Sequence, residues 1–189
     1  MSYNIEEYLP GQVSIIQQEF FSVVTLGATS VVGDQIYFGT NGGENNPITN
    51  FPIAGTIPKS YQAMLIWGLS YGFLEAHDAG DFMALIQDAY FVARVADKDY
   101  MRGKLGDLFD FGFVAQSNTG QIGTTGVALV APQIVTGSSG TMRELSIPIP
   151  VKGLDAINIS VHFNTDVAGF HNANSIFSIS TILTRGVRG

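Results

Sequence analysis

The sequence predicts an all-β fold, an antiparallel sandwich or barrel of eight to ten strands. Runs rich in β-branched and aromatic residues recur along the chain. Turns containing glycine, asparagine or proline separate them at intervals of about 8–12 residues. No linker, internal repeat or change of composition divides the 189 residues, so we expect a single domain over residues 1–189. A chain of this length buries roughly 70% of its unfolded surface, enough for one core.

The first strands lie in the N-terminal half of the chain. Ser14–Gly27 and Ser30–Gly39 are rich in β-branched and aromatic residues and end at glycine, whereas Thr40–Asn50 has the composition of a loop. Tyr61–Phe73 alternates in polarity, with Met64 and Ile66 as exceptions. The residues predicted to share one face of this strand are Tyr61, Ala63, Leu65, Trp67, Leu69, Tyr71 and Phe73.

One short helix is predicted within residues 77–89. Asp78 or Asp81 can cap its start, because an aspartate side chain accepts hydrogen bonds from the first free amides of a helix. Three apolar residues follow at helical spacing, namely Phe82, Leu85 and Ile86. We expect two to three turns that close one end of the sandwich.

The remaining segments again predict strands. They are residues 89–101, with a tight turn at 96–99, and residues 112–117, 126–135 and 175–185. Ile147–Phe163 predicts two more strands, because apolar residues occupy every second position. Pro148 and Pro150 cannot donate ladder hydrogen bonds, so we expect the first of these two strands at a sheet edge or beside a bulge.

The composition favours association with other subunits and argues against nucleic-acid binding. Hydrophobic residues make up 46% of the chain and charged residues 13%, against roughly 25% charged residues in an average globular protein. So little polar cover favours lateral contacts. The net charge is −7 and the nine Lys and Arg residues are scattered, which leaves no basic stripe to follow a phosphate backbone. We expect no direct contact with nucleic acid.

Targeting and redox features are sparse. No basic segment followed by an apolar run occurs near Met1, and no apolar run reaches the roughly 20 residues of a membrane helix. We therefore expect neither a signal peptide nor a spanning helix. The chain has no cysteine, which excludes disulfides and thiolate metal sites.

The sequence predicts no catalytic, cofactor-binding or metal-ligating residues, and no cofactor. His77, His162 and His171 lack the spacing that presents two imidazoles to one metal, so we expect His77 and His171 at turns and His162 on a polar strand face. Asp107 and Asp110 leave a loop calcium site open. The serine- and glycine-rich loops fit neither a nucleophile elbow nor a phosphate-binding loop.

The aromatic residues of the strand over Tyr61–Phe73 allow two interpretations. Trp67, Tyr71 and Phe73 could form an exposed platform on which sugars or bases stack. Core packing is the favoured interpretation, because the surrounding strand is so hydrophobic.

Three stretches carry a resemblance to a known family. Thr49–Leu69 combines a small apolar and glycine-containing loop, a proline and a long strand. Ala89–Gly112 combines a strand, a tight turn, a tyrosine soon followed by a basic residue, and a leucine-containing run that ends in glycine. Arg143–Phe163 is the proline-containing strand with its successor. Together they resemble the jelly-roll capsid proteins of tailless icosahedral bacteriophages, an adenovirus-related lineage that often encloses a membrane.

The resemblance implies an antiparallel eight-stranded jelly-roll sandwich, here with one short helix, that stands upright in a shell and has no enzymatic activity. Many members carry two fused jelly rolls, whereas 189 residues hold one. The chain is therefore more similar to the single-jelly-roll capsid proteins, as a major, minor or vertex subunit. The implied partners are further copies, other capsid proteins and, in some members, an internal viral membrane. The implied location is the virion, after assembly in the host cytoplasm.

Two further expectations concern the chain ends and the rival functions. Residues 1–12 and 185–189 are polar and contain glycine, as flexible arms that order upon assembly would be. The alternative function is a β-sandwich binding module, such as a receptor-binding spike or a lectin-like domain, with Thr40–Asn50 as its best loop. An enzyme on a cupin-like jelly roll is less favoured, because the metal-ligand spacing is missing.

Overall fold

The computed structural model describes residues 14–39, 48–51, 55–57, 61–75, 77–109, 114–116, 133–135 and 142–185. Eight strands within this part have six or more residues, namely β1 (Ser14–Thr25), β2 (Gly33–Phe38), β4 (Ala63–Phe73), β6 (Tyr90–Val95), β7 (Lys98–Lys104), β10 (Arg143–Lys152), β11 (Ile157–Phe163) and β12 (Asn174–Arg185). Four are shorter, namely β3 (Ile48–Thr49), β5 (His77–Asp78), β8 (Val114–Gln116) and β9 (Gln133–Val135). The helices are α1 (Ala79–Asp88) and the 3-10 turns η1 (Leu105–Leu108) and η2 (Ala168–Phe170).

The strands form two large antiparallel sheets and one small one. The five-stranded sheet has the order β10-β4-β12-β1-β3, and the four-stranded sheet has the order β2-β11-β6-β7. The eight long strands pair in a nested way: β1 with β12, β2 with β11, β4 with β10, and β6 with β7. The predicted all-β, sandwich-like architecture is therefore confirmed, and the described residues contain one α-helix.

The inner faces of the two large sheets meet in one hydrophobic cluster. Phe177 on β12 belongs to this cluster. Its ring centroid is 5.7 Å from Tyr37, 6.3 Å from Phe38 and 6.4 Å from Phe91, which all belong to the four-stranded sheet. Offset and edge-on aromatic pairs at such distances add to the stabilisation that burial already gives. The two sheets are thus joined through aromatic contacts.

Strand β11 confirms the alternation that its sequence predicts. Ile157, Ile159, Val161 and Phe163 are buried, and the polar residues between them are only partly buried. All four apolar residues belong to the main hydrophobic core, so this face of β11 points towards the five-stranded sheet.

Strand β4 departs from its predicted pattern. Ser180 of β12 pairs with Gly68 and Thr181 pairs with Ile66, so Trp67 is an extra, bulged residue. An inserted residue reverses which side chains face the core beyond it. The single predicted face was therefore wrong. The residues of β4 in the main core are Met64, Ile66, Leu69, Tyr71 and Phe73, whereas Ala63, Leu65 and Trp67 pack with Ile182 on the other side of the sheet.

Helix α1 forms where the sequence predicts it. The Asp78 carboxylate accepts hydrogen bonds from the Gly80 and Asp81 amides at 2.8 and 3.3 Å, which makes Asp78 the N-cap. The predicted apolar face is confirmed, since its three residues Phe82, Leu85 and Ile86 are buried in the main core. The predicted tight turn between β6 and β7 is also confirmed, with Ala96 at φ 50°.

Some predicted features lie outside the described residues. They are residues 1–12 and 186–189 of the predicted arms, most of the loop at 40–50, and most of the strand predicted at 126–135. Residue 185 is the last residue of β12, so the second predicted arm overlaps a strand by one residue.

Substitution of Ile159 by Asp tests the inward face of β11. Ile159 is fully buried, so the new carboxylate would be buried without a partner, at a cost above roughly 4 kcal/mol. We expect Ile159→Asp to abolish soluble expression. The outward-facing Asn158→Asp is the matched control and should remain soluble. A folded Ile159→Asp protein, with a circular dichroism spectrum like the wild type, would show that the face assignment is wrong.

Candidate functional site

Strand β10 is an outer strand of the five-stranded sheet, and its pairing with the neighbouring strand is irregular. Its pairing with β4 jumps from Glu144–Gly68 to Ile149–Ile66, so residues 145–148 lie opposite the single residue Trp67. This large bulge lifts the middle of β10 away from the regular ladder. The prediction of an edge or bulge at Pro148 and Pro150 is confirmed, and both features occur together.

The bulge exposes an apolar side chain. Ile147 is 75% exposed, and Leu154 in the turn after β10 is 93% exposed. A proline nitrogen carries no hydrogen and cannot donate a hydrogen bond to a neighbouring strand. Prolines on an edge strand therefore hinder pairing with a foreign strand. We infer that contacts at this edge depend on side chains rather than on an added β-strand.

A groove of about 450 Å³ lies between β10 and β7, the outer strand of the four-stranded sheet. Its lining is Tyr100, Met101, Arg143, Glu144, Leu145, Ser146, Ile147 and Ile149. The groove therefore joins the two sheet edges on one side of the sandwich. Its lining combines apolar side chains with polar and charged ones.

The outer face of the four-stranded sheet carries a row of four polar residues, one from each strand, which we call the polar ladder. His162 Nδ1 lies 2.8 Å from Asp34 Oδ1, and the His162 ring stacks on Tyr90 with centroids 4.9 Å apart. The Arg102 guanidinium lies 4.5 Å from the centre of the Tyr90 ring. The prediction that His162 lies on a polar strand face is confirmed. The ladder ties the four strands together at their surface.

His77 is buried, so its prediction as a turn or surface histidine was wrong. It begins β5, and its ring stacks on Phe170 with centroids 4.1 Å apart. Burial lowers the pKa of His77, and a hydrogen bond to the Gly169 backbone opposes this only in part. Sequence reasoning missed this contact because Phe170 is distant along the chain.

His171 stabilises a loop. Its Nε2 lies 3.0 Å from Asp166 Oδ1, and the same carboxylate oxygen accepts a 3.0 Å hydrogen bond from the Val31 amide. These two contacts, the His171 contact above all, lower the pKa of Asp166. His171 directly follows η2 and precedes Asn172 at φ 61°, so its predicted turn position is confirmed.

A chain of buried hydroxyl groups crosses the core between the two large sheets. The Ser175 hydroxyl donates to the Val24 carbonyl at 2.9 Å, so it accepts from Tyr37 at 2.6 Å. Tyr37 in turn accepts from Tyr71 at 2.9 Å. Burial raises the pKa of both phenols, which therefore stay protonated and act as structural hydrogen-bond donors. The sequence pattern gave no sign of this network.

The other sequence candidates do not meet in a site. Tyr71 and Phe73 are buried in the core, which confirms core packing for these two, whereas Trp67 lies on the opposite face. The Asp107 carboxylate lies 3.5 Å from Arg143, and Asp110 is outside the described residues. Within the described ranges, no group of three or more His, Cys, Asp and Glu side chains could hold a metal ion.

No protein-family model, curated protein or solved structure matches the chain. Among the helices in the described part of the chain, none has the length and hydrophobicity needed to cross a membrane. The candidate functional surface is therefore defined by the geometry of the sheet edges and the groove between them.

The buried His77 predicts a pH dependence of stability. Its folded pKa lies below the unfolded value of about 6.5, so the unfolded chain binds the proton more readily. The stabilisation associated with neutral His77 is complete above about pH 6.5 and decreases as the pH falls towards the folded pKa.

The measurement is the free energy of urea unfolding for wild type and for His77→Phe, at several pH values between about 7.5 and 5. Phenylalanine keeps the aromatic contact with Phe170 and cannot be protonated. We expect the stability of the wild type relative to His77→Phe to decrease as the pH falls. A difference that stays constant with pH would contradict the assigned burial of His77.

Proposed function

We propose that this chain is a structural subunit of an icosahedral bacteriophage capsid. It is a single jelly-roll protein, a major or minor shell component, that assembles with its own copies or with companion capsid proteins in the host cytoplasm and remains in the virion. Its role is architectural rather than enzymatic. The observation that carries the proposal is the nested pairing of eight strands, together with the exposed Ile147 on the bulged edge strand β10.

The strand order supports the jelly-roll part of the proposal. If the eight long strands are numbered in chain order, the first pairs with the eighth, the second with the seventh, the third with the sixth and the fourth with the fifth. Rolling one long antiparallel hairpin into a two-sheet sandwich gives this nesting, which is the jelly-roll arrangement of capsid proteins, lectins and cupins.

The edge chemistry supports a capsid subunit over the other users of this arrangement. The described histidines are engaged separately, with Asp34, with Asp166 and in the core, so they do not converge as a cupin metal site requires. Ile147 on β10 and Leu154 in the turn after it expose apolar side chains, which the proposal assigns to contacts with a neighbouring subunit. Only 13% of the residues are charged, so contact with other subunits would remove much apolar surface from water.

A binding module is the second candidate, and the polar ladder favours it. Tyr90, His162 and Arg102 present aromatic and hydrogen-bonding groups on one partly exposed sheet face. Sheet faces of this composition can hold sugars or other planar ligands. The two candidates differ in one measurable property, because only the capsid subunit must self-associate or co-assemble.

Sedimentation velocity over a wide range of protein and salt concentrations tests the proposal. We expect concentration-dependent growth into capsomer-sized or larger species that dissociate on dilution, which distinguishes assembly from aggregation. Negative-stain electron microscopy of the large species should show regular particles. A single small species at every concentration, together with binding in a glycan screen, would support the binding module instead.

Removal of residues 1–12 tests the predicted N-terminal arm. Strand β1 begins at Ser14, so we expect the truncated protein to keep the circular dichroism spectrum and thermal midpoint of the full chain. Its assembly should need a higher protein concentration, because the predicted arm would no longer contribute contacts between subunits. Assembly identical to that of the full chain would refute the role of the arm.

A further inference from the structure

One buried ring at the end of the sandwich that holds α1 and η2 uses only one of its two nitrogen atoms. His77 is 8% exposed, and its Nε2 atom is shielded from solvent without a hydrogen-bond partner among the described residues. The hydrogen bond with the Gly169 backbone therefore involves Nδ1. Because this bond raises the pKa of His77, the ring donates it to the Gly169 carbonyl. The ring is thus neutral, with its proton on Nδ1 and a free lone pair on Nε2.

The same ring holds η2 against the core. His77 stacks on Phe170 with centroids 4.1 Å apart, and the Phe170 ring lies 4.6 Å from that of Phe73 on β4. Phe170 is fully buried, although η2 has only three residues. A single 3-10 turn is not stable alone, so the position of η2 depends on such contacts. We call residues 167–173 the η2 segment.

We propose that protonation of His77 releases the η2 segment and opens this end of the sandwich, while the two large sheets stay folded. A second proton on the ring goes to Nε2, and in the closed structure that N–H group would be buried without an acceptor. A buried donor without a partner is unfavourable, and a charged one more so. Once Phe170 has moved away, water can reach Nε2 and remove this penalty.

Three carboxylates lie near the His77 ring. Glu75 precedes it, Asp78 follows it as the N-cap of α1, and Asp81 lies in the first turn of α1. The Asp81 carboxylate lies directly against Gly169, beside the carbonyl to which the ring donates. Glu75 and Asp81 attract a positive charge on the ring, but burial has the larger effect and lowers the pKa of His77. The carboxylates therefore favour the protonated ring most once it is hydrated.

The other titratable groups of the surrounding elements are engaged elsewhere. At the far end of α1, the Asp88 carboxylate accepts a 2.9 Å hydrogen bond from Thr165. On either side of η2, His171 lies 3.0 Å from Asp166, and protonation of His171 strengthens that contact. Strand β9, which pairs with β5, has no titratable side chain, and the Tyr71 phenol of β4 stays protonated. Acid therefore acts on the η2 segment through His77.

Release of the η2 segment uncovers apolar surface at one end of the molecule. Phe170 and Phe73 are both buried in the closed structure and would become accessible to solvent. The opening needs only one folded chain. It therefore goes beyond the proposed function, and it applies equally to a capsid subunit and to a binding module.

Native-state hydrogen exchange, measured by mass spectrometry between pH 7.5 and 5 at a protein concentration below assembly, tests the release. Division by the intrinsic exchange rate at each pH leaves the protection that the structure provides. The Phe170 amide, bonded to the Val167 carbonyl at 3.0 Å, and the Asn172 amide, bonded to the Gly27 carbonyl at 3.3 Å, report on the η2 segment. Amides of β12 report on global unfolding. Low urea concentrations separate the two, because a local opening exposes little surface and depends weakly on urea.

We expect protection of the η2 segment to decrease by about threefold to thirtyfold from pH 7.5 to pH 5, with little dependence on urea. The upper limit follows from the ordinary histidine pKa of about 6.5 in the open state. Amides of β12 should be better protected at every pH and should depend strongly on urea.

Two variants assign the response to one histidine. His77→Phe keeps the ring stack and cannot be protonated, so its η2 segment should keep the same protection at every pH. His77→Gln serves the same purpose if circular dichroism shows that His77→Phe does not fold. His162→Gln, which removes a histidine from the polar ladder, is the matched control and should respond like the wild type.

Three results would overturn the opening. They are protection of the η2 segment that does not change with pH in the wild type, an equal decrease in His77→Phe, and protection and urea dependence equal to those of β12. The last result would mean that the segment opens only when the whole chain unfolds. None of the three bears on self-assembly, which sedimentation tests separately.

Discussion

The packing of two apolar sheet faces against each other is the interaction on which the rest of the fold depends. At its centre, Phe177 of the central strand β12 contacts aromatic rings of the four-stranded sheet. A sheet with one apolar face must bury it, and the inner faces of the two large sheets bury each other. The nested pairing of the chain brings β1 and β12 side by side, so the described ends of the chain are held in one ladder. This packing does not cover the outer strands of the two sheets.

Local sequence patterns predicted the structure correctly wherever the conformation of an element depends on its own residues. The alternation in β11, the Asp78 cap of α1 and the edge prolines of β10 all follow from neighbouring residues. Trp67 shows where this reasoning stops. The apolar exceptions Met64 and Ile66 and the adjacent Gly68 indicate a change of face in β4, but the position of the bulge is set by the register that β4 shares with β10 and β12. The burial of His77 likewise depends on Phe170, which the fold and not the local sequence brings close.

The candidate surface was predicted only in outline. Pro148 and Pro150 indicate an edge, but the exposure of Ile147 requires the bulge, and the groove requires β7 as its second wall. Under the proposed function, the edges of the sandwich contact other subunits and its interior supplies the stability.

Hydrogen exchange of the protein above and below its assembly concentration tests this central claim most directly. If the proposed function is right, the amides of β7 and β10 exchange more slowly in the assembled protein, because a neighbouring subunit covers them. Amides of β1 and β12, already paired within the sandwich, should exchange at the same rate in both states. Slower exchange confined to other surfaces, or no change in β7 and β10, would contradict the claim that these edges carry the function.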